Sequence, residues 1–86
     1  MQVAIPSVLQ SYTHGARVVD ASGATVAALL ADLDARYPGI CFRMINEADV
    51  LRPHLRIFVN REAVTDLACP LAPSDAVVIV QALSGG

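Results

Sequence analysis

The feature that most constrains this chain is a single amphipathic helical segment set between segments with the alternation of β-strands. Its apolar side chains recur at spacings of three and four residues, which places them on one face of a helix. These side chains are Val26, Leu29, Leu30, Leu33 and Tyr37. Thr25 is the predicted N-cap, and Pro38-Gly39 is expected to end the helix. One helix has no second helix to pack on, so this face must cover a sheet.

Strands are predicted on both sides of the helix. Residues 3–9 form a first strand with a bulge or a free edge at Pro6, because proline donates no ladder hydrogen bond. Residues 17–21 complete a hairpin with it. After the helix come a strand over 54–60, a short edge strand at 63–64, and an almost wholly apolar strand in "AVVIVQAL". Such an apolar strand is typical of the centre of a sheet, covered on both faces.

The intervening stretch "ICFRMI" predicts a helical turn tucked against the core. Its apolar residues are Ile40, Phe42, Met44 and Ile45. An exposed loop is expected to follow it.

The order β-β-α-β-(β)-β predicts an α+β fold, the β-grasp (ubiquitin-like) arrangement. In it, a mixed sheet of four to five strands carries one main helix on one face. The last strand lies mid-sheet, with the first strand beside it and parallel to it. Residues 1–82 are expected to form this domain, and residues 83–86 a flexible C-terminal tail ending in Gly-Gly.

Composition excludes several classes of function. The 86 residues are 55% hydrophobic and 16% charged, which favours a folded chain over a disordered one. A net charge of −2 and few aromatic residues argue against nucleic-acid binding. The apolar stretches fall short of the roughly 18 residues that span a membrane. Two cysteines and two histidines show no zinc spacing, so neither a metal nor a bound cofactor is expected. Without a leader pattern in "MQVAIPSV", a cytoplasmic location is expected.

Four segments carry a resemblance to a known family: "IPSVL", "GATVAALLADLDARYPGI", "LRIFVNRE" and "SDAVVIVQALSGG". Over nearly its whole length the chain resembles the ThiS/MoaD-like sulfur-carrier proteins. Its pattern is most similar to the carriers of cysteine or secondary-metabolite sulfur transfer. Two positions depart from the family, since Ser74-Asp75 replaces the usual Gly-Asp and Gln81 stands where a proline is common.

The resemblance implies a protein co-substrate that has no catalytic site of its own and carries sulfur on Gly86. An α-carboxylate is ionised at neutral pH and can attack the α-phosphate of ATP on an E1-like adenylating enzyme. Sulfide then displaces AMP and leaves a thiocarboxylate, which a sulfur-accepting biosynthetic enzyme consumes. Leu83, Ser84 and Gly85 complete a thin tail, and glycine lacks the Cβ that a narrow channel would exclude.

A docking surface is expected on the sheet face away from the helix. Alternation places Leu55, Ile57, Val59, Val77 and Ile79 toward the helix. Phe58, Val78 and Val80 then share the other face, with Arg56 beside them as a charged contact. An exposed apolar cluster of this kind is typical of a protein-binding site. The alternative is that segment 40–45 or loop 66–72 folds over this face.

Other functions remain open for this sequence. Within the same family, the chain could be the small subunit of molybdopterin synthase or a carrier for the thiamine thiazole. A ubiquitin-like protein modifier is a further alternative, although all six basic residues are arginine, so no chains could form on its own lysines. The last alternative is a β-grasp interaction module whose tail undergoes no chemistry.

Overall fold

The computed structural model describes residues 1–81 of the chain. The elements follow one another as β1 Gln2–Ala4, a 3₁₀ turn Ser7–Leu9, β2 Val18–Asp20, α1 Val26–Arg36, α2 Ile40–Met44, β3 Leu55–Val59, β4 Glu62–Val64 and β5 Val77–Gln81. The five strands form one sheet in the order β2-β1-β5-β3-β4. β1 and β5 run parallel, and the other neighbouring strands are antiparallel. The predicted mixed β-grasp sheet is confirmed, with the apolar last strand at its centre.

Helix α1 covers one face of this sheet as its apolar stripe predicts. Val26, Leu29, Leu30 and Leu33 are each at most 1% exposed. Thr25 caps the helix, since its hydroxyl oxygen accepts a hydrogen bond from the Ala28 amide at 3.2 Å. The helix ends before Pro38, and Gly39 takes the turn with a φ of 95° that other residues avoid.

The core forms between α1 and the near face of the sheet. From β3 and β5 come Leu55, Ile57, Val77 and Ile79, which are at most 2% exposed. These are four of the five side chains predicted to face the helix. The fifth, Val59, is half-buried against the same core.

The predicted first strand over 3–9 is wrong beyond Ala4. β1 ends there, and the chain passes through Pro6 into a 3₁₀ turn. The Leu9 amide donates to the Pro6 carbonyl at 2.9 Å, so these residues bond locally and not to a neighbouring strand. Because the turn curls inward, Leu9 is buried at 4% exposure. Proline thus ends the strand, where a bulge or a free edge was expected.

The predicted helical turn after Gly39 is present as α2, but Phe42 is not part of the core. Ile40 and Met44 are fully buried, whereas Phe42 is 66% exposed. Residues four apart lie on one face of a helix, so the residue midway between two buried positions points outward. The guanidinium carbon of Arg52 lies 5.3 Å from the centre of the Phe42 ring and partly covers it.

A hydrogen-bonded cluster holds the turn between β3 and β4 against the segment before β5. The Asn60 amide donates to Asp75 at 2.8 Å and accepts from the Ala76 backbone at 3.0 Å. Asp75 also accepts from the Ala72 backbone amide at 2.8 Å. The Ala72 amide first, and the Asn60 side chain second, lower the pKa of the Asp75 carboxyl. The hydrogen bonds of this cluster explain why an aspartate stands at position 75. The residue at position 74 takes no part in them, so a serine can stand there in place of the usual glycine.

The predicted boundary at residue 82 and the tail 83–86 lie outside the described residues. Among residues 1–81, no helix has the length and apolar character needed to cross a membrane.

Candidate functional site

Strand β5 leads toward the predicted reactive residue from the middle of the sheet. It pairs with β1 on one side and with β3 over five residues on the other, ending with Gln81 opposite Leu55. The pairing with β3 therefore fixes Gln81, the last described residue, at the edge of the domain where β3 begins. Leu83, Ser84, Gly85 and Gly86 themselves lie outside the described residues, so their predicted roles stay predictions.

The sheet face away from α1, here called the open face, carries a continuous apolar row. Strand register places one residue from each strand side by side across the whole sheet. In spatial order this row is Val18, Ala4, Val78, Phe58 and Ala63. Val18 is 52% exposed and Val78 is 39% exposed, so water reaches both.

Two of the predicted contact residues lie next to this row. Val80 pairs with Arg56 across β5 and β3, one step closer to the end of β5. Val80 is half-buried and Arg56 is exposed. The Arg56 guanidinium donates to the Pro53 and Leu55 carbonyls at 2.6 and 2.8 Å, which holds it along the start of β3. The structure therefore gathers Phe58, Val78, Val80 and Arg56 on one surface.

Loop 66–72 does not cover the open face. It lies beside the start of α1, where the Cys69 and Leu67 carbonyls accept from the amides of Val26 and Ala27 at 3.0 and 2.8 Å. This loop satisfies two of the amides that the first turn of a helix leaves without partners. Its place is thus on the helix side of the sheet.

Segment 40–45 also stays on the helix side, where α2 packs against α1. Neither of the segments considered as covers for the open face reaches it. The open face is accordingly the apolar surface of the described chain that is best placed for docking.

Sequence reasoning missed part of the open face, namely Ala4, Val18 and Ala63. The signal for Val18 was present, since alternation in "RVVDA" turns Val18 outward whenever Val19 faces the core. That Val18 joins the same row as Phe58 depends on register across four strands, and no local pattern encodes it.

Neither a metal-binding cluster nor an activated thiol is found in the described part of the chain. Within residues 1–81, no group of three His, Cys, Asp or Glu side chains is arranged to hold a metal ion. Cys41 and Cys69 are free thiols, both half-buried. Burial raises the pKa of the Cys41 thiol, with Asp34 adding a smaller effect, so the thiol form is favoured over the nucleophilic thiolate.

Comparison with known proteins agrees with this architecture. Sulfur carrier protein CysO from Mycobacterium tuberculosis is 38% identical over 89 residues, which cover 98% of this chain and 96% of the relative. A chain of the BexX/CysO complex from Amycolatopsis orientalis superposes with a TM-score of 0.90 at 33% identity, covering 99% of this chain and 98% of that one. Small archaeal modifier protein 1 from Haloferax volcanii follows with a TM-score of 0.78 at 26% identity, covering 96% and 97%.

The family comparison reaches through the predicted reactive residue. The model of the ThiS family matches residues 3–86, which include all of the described sheet from Val3 onward as well as Gly85 and Gly86. The resemblance inferred from the sequence motifs is confirmed: this chain belongs to the ThiS family.

Proposed function

We propose that this protein is a sulfur carrier that holds sulfur as a thiocarboxylate on Gly86 and delivers it to a biosynthetic enzyme, with cysteine synthesis as the favoured pathway. The carrier function is the part of the prediction that the relatives confirm, since they are sulfur carriers matched over almost the whole chain. The observation that carries the proposal is the family match extending through Gly85-Gly86, which follow the central strand of the sheet after three residues.

The chemistry takes place in two steps on a partner enzyme. One oxygen of the Gly86 carboxylate attacks the α-phosphate of ATP, and pyrophosphate leaves to give an acyl-adenylate. Sulfide then attacks the carbonyl carbon and AMP leaves with the carboxylate oxygen, so one oxygen is replaced by one sulfur. ATP is used by the activating enzyme and is not a cofactor of this chain, which acts as a co-substrate without a catalytic site.

The tail must reach into that enzyme for either step to occur. Five residues follow Gln81, and an extended residue spans at most about 3.3–3.6 Å, so Gly86 can lie up to about 17 Å beyond the sheet. The globular domain then stays at the enzyme surface, where the open face can dock. We assign this docking to Phe58, Val78, Val80 and Arg56, together with the neighbouring Val18. An aromatic side chain in an apolar patch is the kind of residue that dominates binding energy at interfaces.

Two partners are proposed, an E1-like adenylating enzyme and a sulfur-accepting biosynthetic enzyme. Support comes from the relative in Amycolatopsis orientalis, whose CysO is found in a complex with BexX. We further propose that the protein acts in a reducing cytoplasm, where the free thiols of Cys41 and Cys69 would persist.

The test is reconstitution with the cognate adenylating enzyme, ATP and sulfide, followed by intact-mass measurement. The expected product is heavier by the difference between one sulfur and one oxygen atom. Deleting Gly86 should abolish the product without unfolding the domain, because the described core is built from side chains between Val3 and Ile79. Gly85→Val should also block it, since a β-branched side chain demands room that a channel for glycine lacks.

The second candidate function is protein modification, favoured by the likeness to small archaeal modifier protein 1. The same reconstitution separates the two functions when lysine-containing proteins are included. Covalent adducts on those lysines without any thiocarboxylate would support a modifier and contradict the carrier.

A further inference from the structure

A groove of about 440 Å³ lies at the end of the sheet where β5 finishes. Its apolar lining residues are Val8, Leu9 and Leu55. Around the rim stand Tyr12, Arg43, Arg52 and His54, with Gln81 at the point where the described chain ends. Two arginines and a histidine thus line the groove beside Gln81, the last described residue.

Both guanidinium groups are held in position by the protein. Arg43 Nε donates to the Tyr12 hydroxyl oxygen at 2.7 Å. Arg52 donates from Nε and Nη2 to the Phe42 carbonyl at 3.0 and 2.8 Å, and it stacks on the Phe42 ring. A side chain already fixed in this way loses little conformational entropy when it binds a partner.

Neither arginine of this groove forms an ion pair with a described carboxylate. Within residues 1–81, the ion pairs closer than 4 Å are Arg36 with Asp32 and the N-terminal ammonium with Asp20, and both lie elsewhere. No carboxylate lines the groove. On a protein with a net charge of −2, this is a local site for an anion, and the planar fork of arginine suits a carboxylate or a phosphate.

The position of the groove decides between these anions. During adenylation the phosphates of ATP must surround Gly86, which lies up to about 17 Å from Gln81 when the tail is extended. The groove adjoins Gln81 itself. It therefore faces the mouth of the channel that receives the tail and not the nucleotide at the far end.

We propose that the basic groove formed by Arg43, Arg52 and His54 binds carboxylate side chains at the mouth of the activating enzyme's tail channel. This inference rests on the proposed carrier function. The groove complements the open face, because the apolar row supplies contact area while the fixed arginines orient the domain so that the tail is aimed into the channel. Charged contacts at the rim of an interface chiefly set the rate and register of docking.

The test compares the double variant Arg43→Gln/Arg52→Gln with the wild type in thiocarboxylate formation by the cognate adenylating enzyme. We expect the KM for the carrier to rise roughly tenfold with little change in kcat, because positioning is lost while Gly86 is unchanged. Raising the salt concentration should increase the KM of the wild type and have much less effect on the double variant.

Two variants separate charge from structure. Arg36→Gln removes one positive charge, where the double variant removes two, from a guanidinium that already has Asp32 as its partner, and it should leave the KM unchanged. Arg43→Lys/Arg52→Lys keeps the charge and should restore part of the affinity and of the salt dependence. Melting temperatures of all variants identify any loss that comes from unfolding.

The outcomes distinguish this inference from the proposed function. The wild type and the double variant could form thiocarboxylate with the same KM and the same salt response. That result would contradict the binding role of the groove and leave the carrier function supported. A wild-type chain that forms no thiocarboxylate would overturn both. Equal losses for Arg36→Gln and the double variant would also contradict a site at the groove.

Discussion

At the scale of single residues, the turn between β3 and β4 stores backbone strain. Val59 pairs with Glu62, so Asn60 and Arg61 form a two-residue hairpin loop, and their φ angles are 50° and 74°. Turns of this kind prefer glycine at the second position, because a side chain in the left-handed region clashes with the backbone. Arg61 borders the hollow of the open face beside Phe58 and Val78.

Arg61→Gly is therefore predicted to raise the free energy of unfolding by about 0.5–1 kcal/mol, since it relieves this strain. Chemical denaturation measures the change. The matched control is Asn60→Gly, which relieves the neighbouring φ but removes two hydrogen bonds to Asp75 and Ala76. That control should lose stability. A loss of stability on Arg61→Gly would show that the arginine side chain supports the fold.

At the scale of secondary structure elements, the approach of residues 21–24 to α1 depends on a missing side chain. A Cβ at Gly23 would lie 2.7 Å from the carbonyl carbon of Ala28 and 2.8 Å from the Cα of Leu29. These are backbone atoms of the first turns of α1, so they cannot rotate out of the way. The whole segment would have to move off the helix.

Gly23→Ala is predicted to cost about 2 kcal/mol or more, in the range of overpacked cores. Thermal or chemical unfolding provides the measurement. Gly15→Ala is the control: its φ is 85° but nothing lies within 4 Å of the added Cβ, so only the strain of about 1–2 kcal/mol is expected. If Gly23→Ala loses no more free energy of unfolding than Gly15→Ala, residues 21–24 can move away from α1 at little cost.

The elements that sequence patterns predicted well are those with a strong period. The stripe of α1 and the alternation of β3 and β5 reflect burial directly, so they transfer from sequence to structure. Residues 3–9 failed because an apolar run is compatible with a strand or a turn, and Pro6 decided between them. Phe42 failed because a helix of five residues has too few positions to define its buried face.

At the scale of the whole molecule, we propose different roles for the two faces of the sheet, the core on one and docking on the other. Val77 and Val78 are adjacent in β5, but Val77 is 2% exposed in the core and Val78 is 39% exposed on the open face. The pair provides the same side chain on opposite sides of one strand. Replacing each valine by alanine therefore distinguishes an effect on docking from an effect on stability with the same small truncation.

Val77→Ala is predicted to lower the free energy of unfolding by about 2 kcal/mol, whereas Val78→Ala should change it by about 0.5 kcal/mol or less. Val78→Ala should instead weaken binding to the adenylating enzyme, and Phe58→Ala should weaken it further. Calorimetric titration and denaturation of the same samples give both quantities. If Val78→Ala and Phe58→Ala leave the affinity for the adenylating enzyme unchanged, the open face takes no part in docking.

The sequence predicted the part of the site that depends on alternation within a strand, but not the part that depends on how distant segments come together. Phe58, Val78 and Val80 were placed on one face because alternation within two paired strands suffices. Val18 and Ala4 were missed because their position depends on the register of β1 and β2. The basic groove was missed too, since Tyr12, Arg43 and Arg52 come from three separate segments that only the folded chain brings together.

The central claim, that Gly86 holds the sulfur, is tested most directly by fragmenting the reconstituted protein in a mass spectrometer. The predicted result is one oxygen replaced by one sulfur, found only in fragments that contain Gly86. The contradictory result is that every fragment containing Gly86 keeps both carboxylate oxygens although the adenylating enzyme consumes ATP in the same reaction, because the carboxylate of Gly86 would then carry no sulfur.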